Sequence, residues 1–242
     1  MCMHRFFNGL LDIIFPPVCL ACKRKLSTVS VDNTVCPECW SSIKRNIPPF
    51  CLSCGRHLDT RRSAKSICPA CIGKPLHFDR AVSPCRYDGS VKELIHEFKY
   101  KTKLRIGRTL SRLMIDFIKE YDVPVDILDL VIPMPLHSAR MREREFNQSE
   151  VLSRHIAGAL NKKVLPGILI RKLKTKTQTG LETAERFSNV RGCFAVRDPE
   201  AIQHKNILLV DDVLTTGATA SEAALTLKTR GAGVVFVITA AC

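Results

Sequence analysis

Aromatic side chains are scarce in this chain: they make up 6% of its 242 residues, and Trp40 is the single tryptophan. That shortage disfavours a protein that grips nucleic acid chiefly by stacking bases on rings, since only a few residues such as Phe50, Tyr100 and Phe146 could serve. Long apolar runs are missing as well. The stretch from Leu10 to Phe15 is short and Asp12 interrupts it, far below the roughly 20 residues that cross a bilayer, so membrane insertion is not expected. The opening M-C-M-H-R-F-F-N-G-L-L-D-I-I-F lacks a small-residue cleavage site and reads as a short amphipathic element, which makes the cytoplasm the expected location. Acidic residues are the third shortage. There are 23 Asp and Glu against 37 Lys and Arg, a formal net charge of +14, which suits an anionic partner such as a polyphosphate or a nucleic acid.

What is present supports an ordinary core: 45% of the residues are hydrophobic and 25% charged, enough for one mid-sized domain with a small appendage. The appendage is marked by cysteine. Eight of twelve cysteines form four C-x-x-C pairs, Cys19/Cys22, Cys36/Cys39, Cys51/Cys54 and Cys68/Cys71. Without an export signal, metal is a better reading than disulfides. A shift of 32 residues superposes Pro16-Pro17 on Pro48-Pro49, Cys19-Leu20 on Cys51-Leu52, Leu26 on Leu58 and Cys36-Pro37 on Cys68-Pro69. Each copy carries four thiolates and can close its own tetrahedral Zn²⁺ site, from Cys19, Cys22, Cys36 and Cys39 and from Cys51, Cys54, Cys68 and Cys71. Cross-bracing of alternate pairs is the competing topology. Either way all four ligands come from the protein, so both zincs are structural and supply folding free energy to segments too small to fold unaided. Cys85 and Cys193 sit in apolar contexts and read as small hydrophobes.

From about Phe78 onward, strand signals alternate with helix signals, which implies a parallel sheet covered by helices on both faces. Strands are expected at Ala81 to Tyr87, Ile127 to Ile132, Val164 to Ile170, Ile207 to Val210 and Gly233 to Thr239. Helices are expected at Ser90 to Tyr100, Ile106 to Tyr121, Asn147 to Leu160, Glu182 to Asn189 and Thr219 to Arg230. The stretch I-L-L-V-D-D-V-L-T-T-G-A-T, residues 207 to 219, carries the most chemistry. An apolar strand delivers Asp211 and Asp212 to its carboxyl end, where a carboxylate can accept hydrogen bonds from ribose hydroxyls. Thr215, Thr216, Gly217, Ala218 and Thr219 then open a helix, whose N-terminal donors and dipole favour a phosphate. Basic residues gather in three clusters: Lys99, Lys101, Lys103, Arg105, Arg108 and Arg112; Arg140, Arg142 and Arg144; and Arg171, Lys172, Lys174 and Lys176.

The 207 to 219 stretch resembles the phosphoribosyl-pyrophosphate signature of type I phosphoribosyltransferases, and nearly the whole chain resembles the ComF family, in which zinc ribbons precede a phosphoribosyltransferase domain. The resemblance implies an α/β fold with a double zinc ribbon over residues 1 to 77 and a phosphoribosyltransferase-like domain over residues 78 to 242. It places Asp211 and Asp212 on the ribose hydroxyls and Thr215 to Thr219 on the 5-phosphate. The stretch R-M-R-E-R-E-F-N-Q resembles the flexible loop of the family, with Arg140, Arg144, Phe146, Asn147 and Gln148 in place and Glu145 where glycine is usual. Lys99, Tyr100 and Lys101 correspond to the pyrophosphate side. Thr177, Gln178, Leu181, Arg186 and Asn189 fall in the hood that covers an acceptor. With Mg²⁺, Arg144 and Lys99 would balance the departing charge, and no residue stands out as a base for an acceptor. The implied role is natural competence: the handling of incoming single-stranded DNA, gripped through Lys101, Lys103, Arg105 and Arg108, beside a site for phosphoribosyl pyrophosphate or a nucleotide 5-phosphate and alongside other competence proteins. Two other readings stay open, an active phosphoribosyltransferase with an unknown acceptor and a non-catalytic sensor of the sugar pyrophosphate. Cys2 corresponds to the glutaminase nucleophile of an amidophosphoribosyltransferase, but the ribbons begin where a glutaminase domain would have to follow.

Overall fold

The computed structural model describes residues 17–27, 29–58, 66–100, 103–173 and 182–242. Five parallel strands form the sheet in the order β1-β7-β6-β2-β3, with β1 at Arg80–Val82, β2 at Leu130–Pro133, β3 at Lys163–Val164, β6 at Ile207–Val213 and β7 at Val235–Ala241. Its centre is apolar on both faces because helices cover both. Leu208 and Val210 of β6 join one core cluster, and Ile207 and Leu209 join the other, the alternation a pleated strand imposes.

The helices are α1 (Pro37–Ser41), α2 (Gly89–Glu97), α3 (Arg105–Glu120), α4 (Ser138–Arg144), α5 (Gln148–Leu160), α6 (Thr183–Val190) and α7 (Ala218–Lys228). In α3, Ile106, Leu110, Leu113, Met114 and Phe117 are buried at helical spacing, which leaves Arg105, Arg108 and Arg112 on the solvent side.

Three expectations are corrected. The strand expected over Val164 to Ile170 is two: β3 ends the main sheet, and β4 (Leu169–Arg171) pairs antiparallel with β5 (Phe194–Val196), since Pro166 and Gly167, the latter at φ +78°, turn the chain between them. The stretch that resembles the flexible loop contains a helix, α4, started by His137, whose Nδ1 accepts from the Ala139 N–H at 3.2 Å. The strand expected to reach Tyr87 stops at Val82; beyond it Cys85 and Tyr87 still bond to Cys242 just past β7, while on the other side the chain between the two ribbons pairs with it, Asn46 N–H on the Pro84 carbonyl and Arg86 N–H on the Lys44 carbonyl.

The cysteine repeats straddle this β1 edge. Leu26, Val35 and Ile43 of the first ribbon join the core on one face of the sheet, while Leu58 of the second joins the core on the other. Ala81 N–H donates to the Ser53 carbonyl at 2.8 Å, so a ribbon closes an edge that would otherwise offer unpaired backbone groups. Residues 75–77 are fastened to α7: Ser221 Oγ donates to the Pro75 carbonyl and accepts from the His77 N–H.

Candidate functional site

Each cysteine set lies within one copy of the repeat, as the 32-residue shift implies. In both sets the four sulfurs lie within 4.8 Å of one another. Cys22 and Cys36 Sγ are 3.8 Å apart and Cys54 and Cys68 Sγ 3.6 Å, close to the roughly 3.8 Å edge of a tetrahedron with zinc–sulfur bonds of about 2.3 Å. Backbone N–H groups support the thiolates at equivalent places, Cys36 N–H on Cys19 Sγ at 3.4 Å and Cys68 N–H on Cys51 Sγ at 3.3 Å. Zn²⁺ fits both sets. Cys85 and Cys193 are fully buried instead, and burial pushes the Cys85 thiol up to about 12.

A second feature lies at the carboxyl ends of β2 and β6. From β2 the chain runs out to β3 on one side and returns to β6 on the other, so the crevice between them is the switch point where ligands bind in open α/β sheets. A cavity of about 730 Å³ opens there. Asp211 and Asp212 form its acidic floor, Thr215, Gly217, Ala218 and Thr219 one side, and Lys92, Lys99, Arg140, Arg144, Arg171 and Arg186 the cationic wall.

The acidic pair is held under tension. Burial raises both carboxyls above their ordinary values, Asp211 to about 7 with the Asp212 charge adding to the effect. The charges of Arg144 and Lys99 oppose the rise at Asp212. Ser149 Oγ, in the first turn of α5, donates to Asp211 Oδ1 at 2.9 Å, and the Asp212 N–H donates to the same oxygen. Asn147 fixes that turn: its Oδ1 accepts from the Ser149 N–H, and its Nδ2 donates to the Met134 carbonyl at the end of β2. Gln148 is 2% exposed and lines the cavity, and its Nε2 has no hydrogen-bond partner among the described residues.

The phosphate-loop bend depends on Gly217, which adopts φ +82° as the N-cap of α7. A Cβ there would stand 3.2 Å from Leu76 Cδ2 and 3.6 Å from the Phe78 ring. The second ribbon also reaches the loop, where Arg56 donates to the carbonyls of Leu214 and Thr215.

Most of the site residues expected from the sequence meet in this cavity; among the described ones Thr216, Tyr100, Phe146, Asn147 and Asn189 do not line it. Thr216 turns its hydroxyl back to accept weakly from the Ala218 N–H at 3.4 Å, capping the helix rather than lining the cavity. Tyr100 is 57% exposed with its ring against His96, because α2 has ended and the chain there runs outward. Lys101, Thr177, Gln178 and Leu181 lie outside the described residues; Asn189 sits in α6 and does not line the cavity. Lys103 is half-buried, while Arg105 and Arg108 are exposed on α3. Sequence reasoning missed Tyr87, Lys92, Ser149 and Arg56. The signal for Arg56 was in the repeat, where it occupies the place of Arg24.

A family model for the double zinc ribbon domain matches residues 10–81. The DNA utilization protein YhgH of Escherichia coli K12 is 29% identical over 222 residues, covering 91% of this chain and 88% of that protein. Competence protein F of Haemophilus influenzae is 30% identical over 157 residues, covering 64% of this chain and 69% of that protein. Among solved structures, the glutamine phosphoribosylpyrophosphate amidotransferase of Bacillus subtilis aligns over 60% of this chain and 30% of its own length at 20% identity with a TM-score of 0.39, too remote to weigh. With two four-cysteine ribbons docked on a five-stranded parallel sheet, and with these relatives, the chain belongs to the ComF family.

Proposed function

We propose that this chain acts in natural competence, handling incoming single-stranded DNA, and that its cavity binds phosphoribosyl pyrophosphate with Mg²⁺. The observation that carries the ligand is the placement of two carboxylates with raised pKa values between a phosphate-type loop and a cationic wall. Two adjacent half-buried acids are costly unless something compensates them, and the cavity supplies part of that from Arg144 and Lys99 at Asp212 and from Arg171 at Asp211. A ribose offering two hydroxyls to Asp211 and Asp212 stabilises the ionised pair, and a 5-phosphate takes the donors at the start of α7. Arg140, Arg144, Lys92 and Lys99 face the pyrophosphate. Mg²⁺ bound with the ligand beside Asp211 and Asp212 would supply positive charge to offset what remains.

The DNA part is supported by the names of the relatives and by the exposed row Arg105, Arg108 and Arg112 on α3, three positions on one helix face. Among the described residues no helix is long and apolar enough to cross a membrane. A second reading, transfer of the phosphoribosyl group, is favoured by the hood: β4 and α6 bring Arg171 and Arg186 into the lining of the cavity. Pyrophosphate released from phosphoribosyl pyrophosphate in the presence of a base or amine would identify it.

Calorimetric titration with phosphoribosyl pyrophosphate and Mg²⁺ tests the primary reading. Binding by the wild type that disappears in Asp211→Ala/Asp212→Ala supports it, and equal binding by the two proteins overturns it. For DNA, affinity for a single strand should fall with salt and weaken when Lys101, Lys103, Arg105 and Arg108 are neutralised; a salt-independent affinity rules the role out.

A further inference from the structure

A groove of about 370 Å³ separates the first ribbon from α3, lined by Asp32, Arg108, Ser111, Arg112, Asp116 and His155 together with Ile115. It is remote in composition from the cavity above, sharing none of its residues. Two of its polar atoms are buried without hydrogen-bond partners among the described residues, Ser111 Oγ and Asp32 Oδ2.

Each is unusual for its setting. A serine inside a helix ordinarily returns its hydroxyl to a carbonyl one turn back, as Ser153 does to Ser149 at 2.7 Å in α5. Ser111 is 1% exposed and makes no such bond. Asp32 stands at φ +50° on the ribbon, with Oδ1 a long 3.9 Å from Arg112 and Oδ2 unmet. A buried hydroxyl and a buried carboxylate oxygen left unsatisfied each carry a desolvation cost that a ligand offering the missing partner would relieve, the larger for the charged group. The same interface shows the alternative close by, where Thr34 and Thr109 satisfy one another at 2.8 Å.

A group that fills this floor must present a donor to Asp32 and an acceptor to Ser111. It must also be anionic toward the mouth, where Arg108 forms no ion pair among the described residues and Arg112, held over the Trp40 ring at 5.9 Å, is tied to Asp32 and Asp116 only at 3.9 and 3.8 Å. Inorganic phosphate carries its donor, acceptors and charge on one small centre, with nothing to separate floor from mouth. A nucleotide meets both, because the edge of a base carries an N–H beside a ring nitrogen or carbonyl oxygen.

We infer that this groove is a nucleotide subsite, with a base N–H on Asp32 Oδ2, a base acceptor on Ser111 Oγ and the phosphate on Arg108 and Arg112. A free nucleotide and one unit of a strand share this chemistry. The exposed row from Arg105 to Arg112 favours the strand, and in that choice alone the inference rests on the DNA reading above.

The test measures fluorescence anisotropy of a labelled 20-nucleotide thymidine strand on the full chain at two salt concentrations, with Asp32→Asn, Ser111→Val and Arg108→Gln. A bare cationic surface binds tighter when Asp32 loses its charge and ignores Ser111. The groove demands the opposite: about five- to tenfold weaker binding for Asp32→Asn and Ser111→Val, persisting at high salt, and a salt slope lower by about one for Arg108→Gln. Titration of wild type, Asp32→Asn and Ser111→Val with thymidine 5-monophosphate forms the second arm. Loss confined to this probe keeps the subsite and assigns it to free nucleotide, and if the wild type then binds no strand, the DNA reading fails while the subsite stands. Tighter strand binding by Asp32→Asn, or wild-type behaviour of Asp32→Asn and Ser111→Val with both probes, overturns the inference. Melting temperature and zinc content identify any variant that fails to fold, and Ser111→Ala then replaces valine.

Discussion

Arg56, set in the knuckle of the second ribbon, donates a hydrogen bond to the carbonyl oxygen of Thr215 and another to that of Leu214 at 3.2 Å. A zinc-ribbon residue thus sets the backbone of the proposed phosphate loop. In the first ribbon the equivalent Arg24 instead donates through Nε to Cys22 Sγ at 3.4 Å, so one repeat position has been turned to a second use. Arg56→Met should leave both cysteine sets metallated, weaken ribose 5-phosphate binding about tenfold and speed amide exchange over residues 213–218. Unchanged exchange and affinity would show that the loop holds its shape without the ribbon. Chelation of zinc from the second ribbon should reproduce the effect of the substitution, since Arg56 N–H and carbonyl belong to the same knuckle.

Asp211 makes the fold pH-sensitive in a particular direction. Its carboxyl rises from an ordinary 3.8 to about 7 through burial and the Asp212 charge, so the native state holds a proton that the unfolded chain has released. Stability is therefore greatest below pH 4 as far as this group is concerned and falls as pH climbs from about 4 to 7. Asp211→Asn should stabilise the apo protein at pH 8 by about 2 kcal/mol and show much less gain at pH 4.5, read from urea unfolding at both values. Ligand binding should move the other way: Mg²⁺-dependent affinity for phosphoribosyl pyrophosphate rises through pH 7 in the wild type and is lost in the variant. A variant less stable than wild type at pH 8 would show that the pair is already compensated within the apo protein.

Glu145 adopts φ +62° at the end of α4, the left-handed conformation that glycine enters without penalty. The glycine usual at this place in the resembling loop is thus explained by backbone geometry. Here an exposed glutamate carries the strain beside a cationic cavity. Glu145→Gly should stabilise the chain by about 1 kcal/mol, while Glu145→Ala keeps the Cβ and gives no such gain. Differential scanning calorimetry separates the two, and equal melting temperatures for Gly and Ala would remove strain as the reason.

Why some of this was legible in sequence and some was not has a local explanation. The zinc sets follow from spacing, because a C-x-x-C knuckle and a 32-residue repeat confine each tetrahedron to its own copy. Asp211, Asp212 and Gly217 follow from a strand that ends in acids and a loop whose bend requires positive φ. The contacts that place them do not follow. Ser149 reaches Asp211 across 62 positions, and Arg56 reaches Thr215 across 159. Neither residue type is diagnostic by itself. The strand expected over Val164 to Ile170 failed because its apolar pattern is continuous, while Pro166 and Gly167 divert the chain from one sheet to another. Tyr100 was assigned by position in a motif, and only the end of α2 decides that it faces solvent.

The two ribbons also differ at a single position that decides how they dock. Lys23 and Gly55 are 32 residues apart, and each donates its N–H to the first cysteine of its knuckle at positive φ, +63° and +70°. Lys23 faces outward and pairs with Glu97 at 2.8 Å. Gly55 lies against β1, where an added Cβ would stand 2.5 Å from the Ala81 carbonyl oxygen and 2.8 Å from Val82 Cα. Both contacts are backbone, and Ala81 is already fixed by its hydrogen bond to Ser53, so no side-chain rotation can make room. Gly55→Ala should cost about 3 kcal/mol in urea unfolding while leaving zinc content unchanged, since the clash lies between ribbon and sheet rather than within the thiolate set. Lys23→Gly, at the same repeat position, relieves left-handed strain and loses an ion pair with Glu97 and an exposed hydrogen bond to the Leu20 carbonyl, so its net change should stay within about 1 kcal/mol of zero. A Gly55→Ala protein as stable as wild type would mean that the second ribbon can lift from β1 at little cost, and the loop contact from Arg56 would then loosen with it.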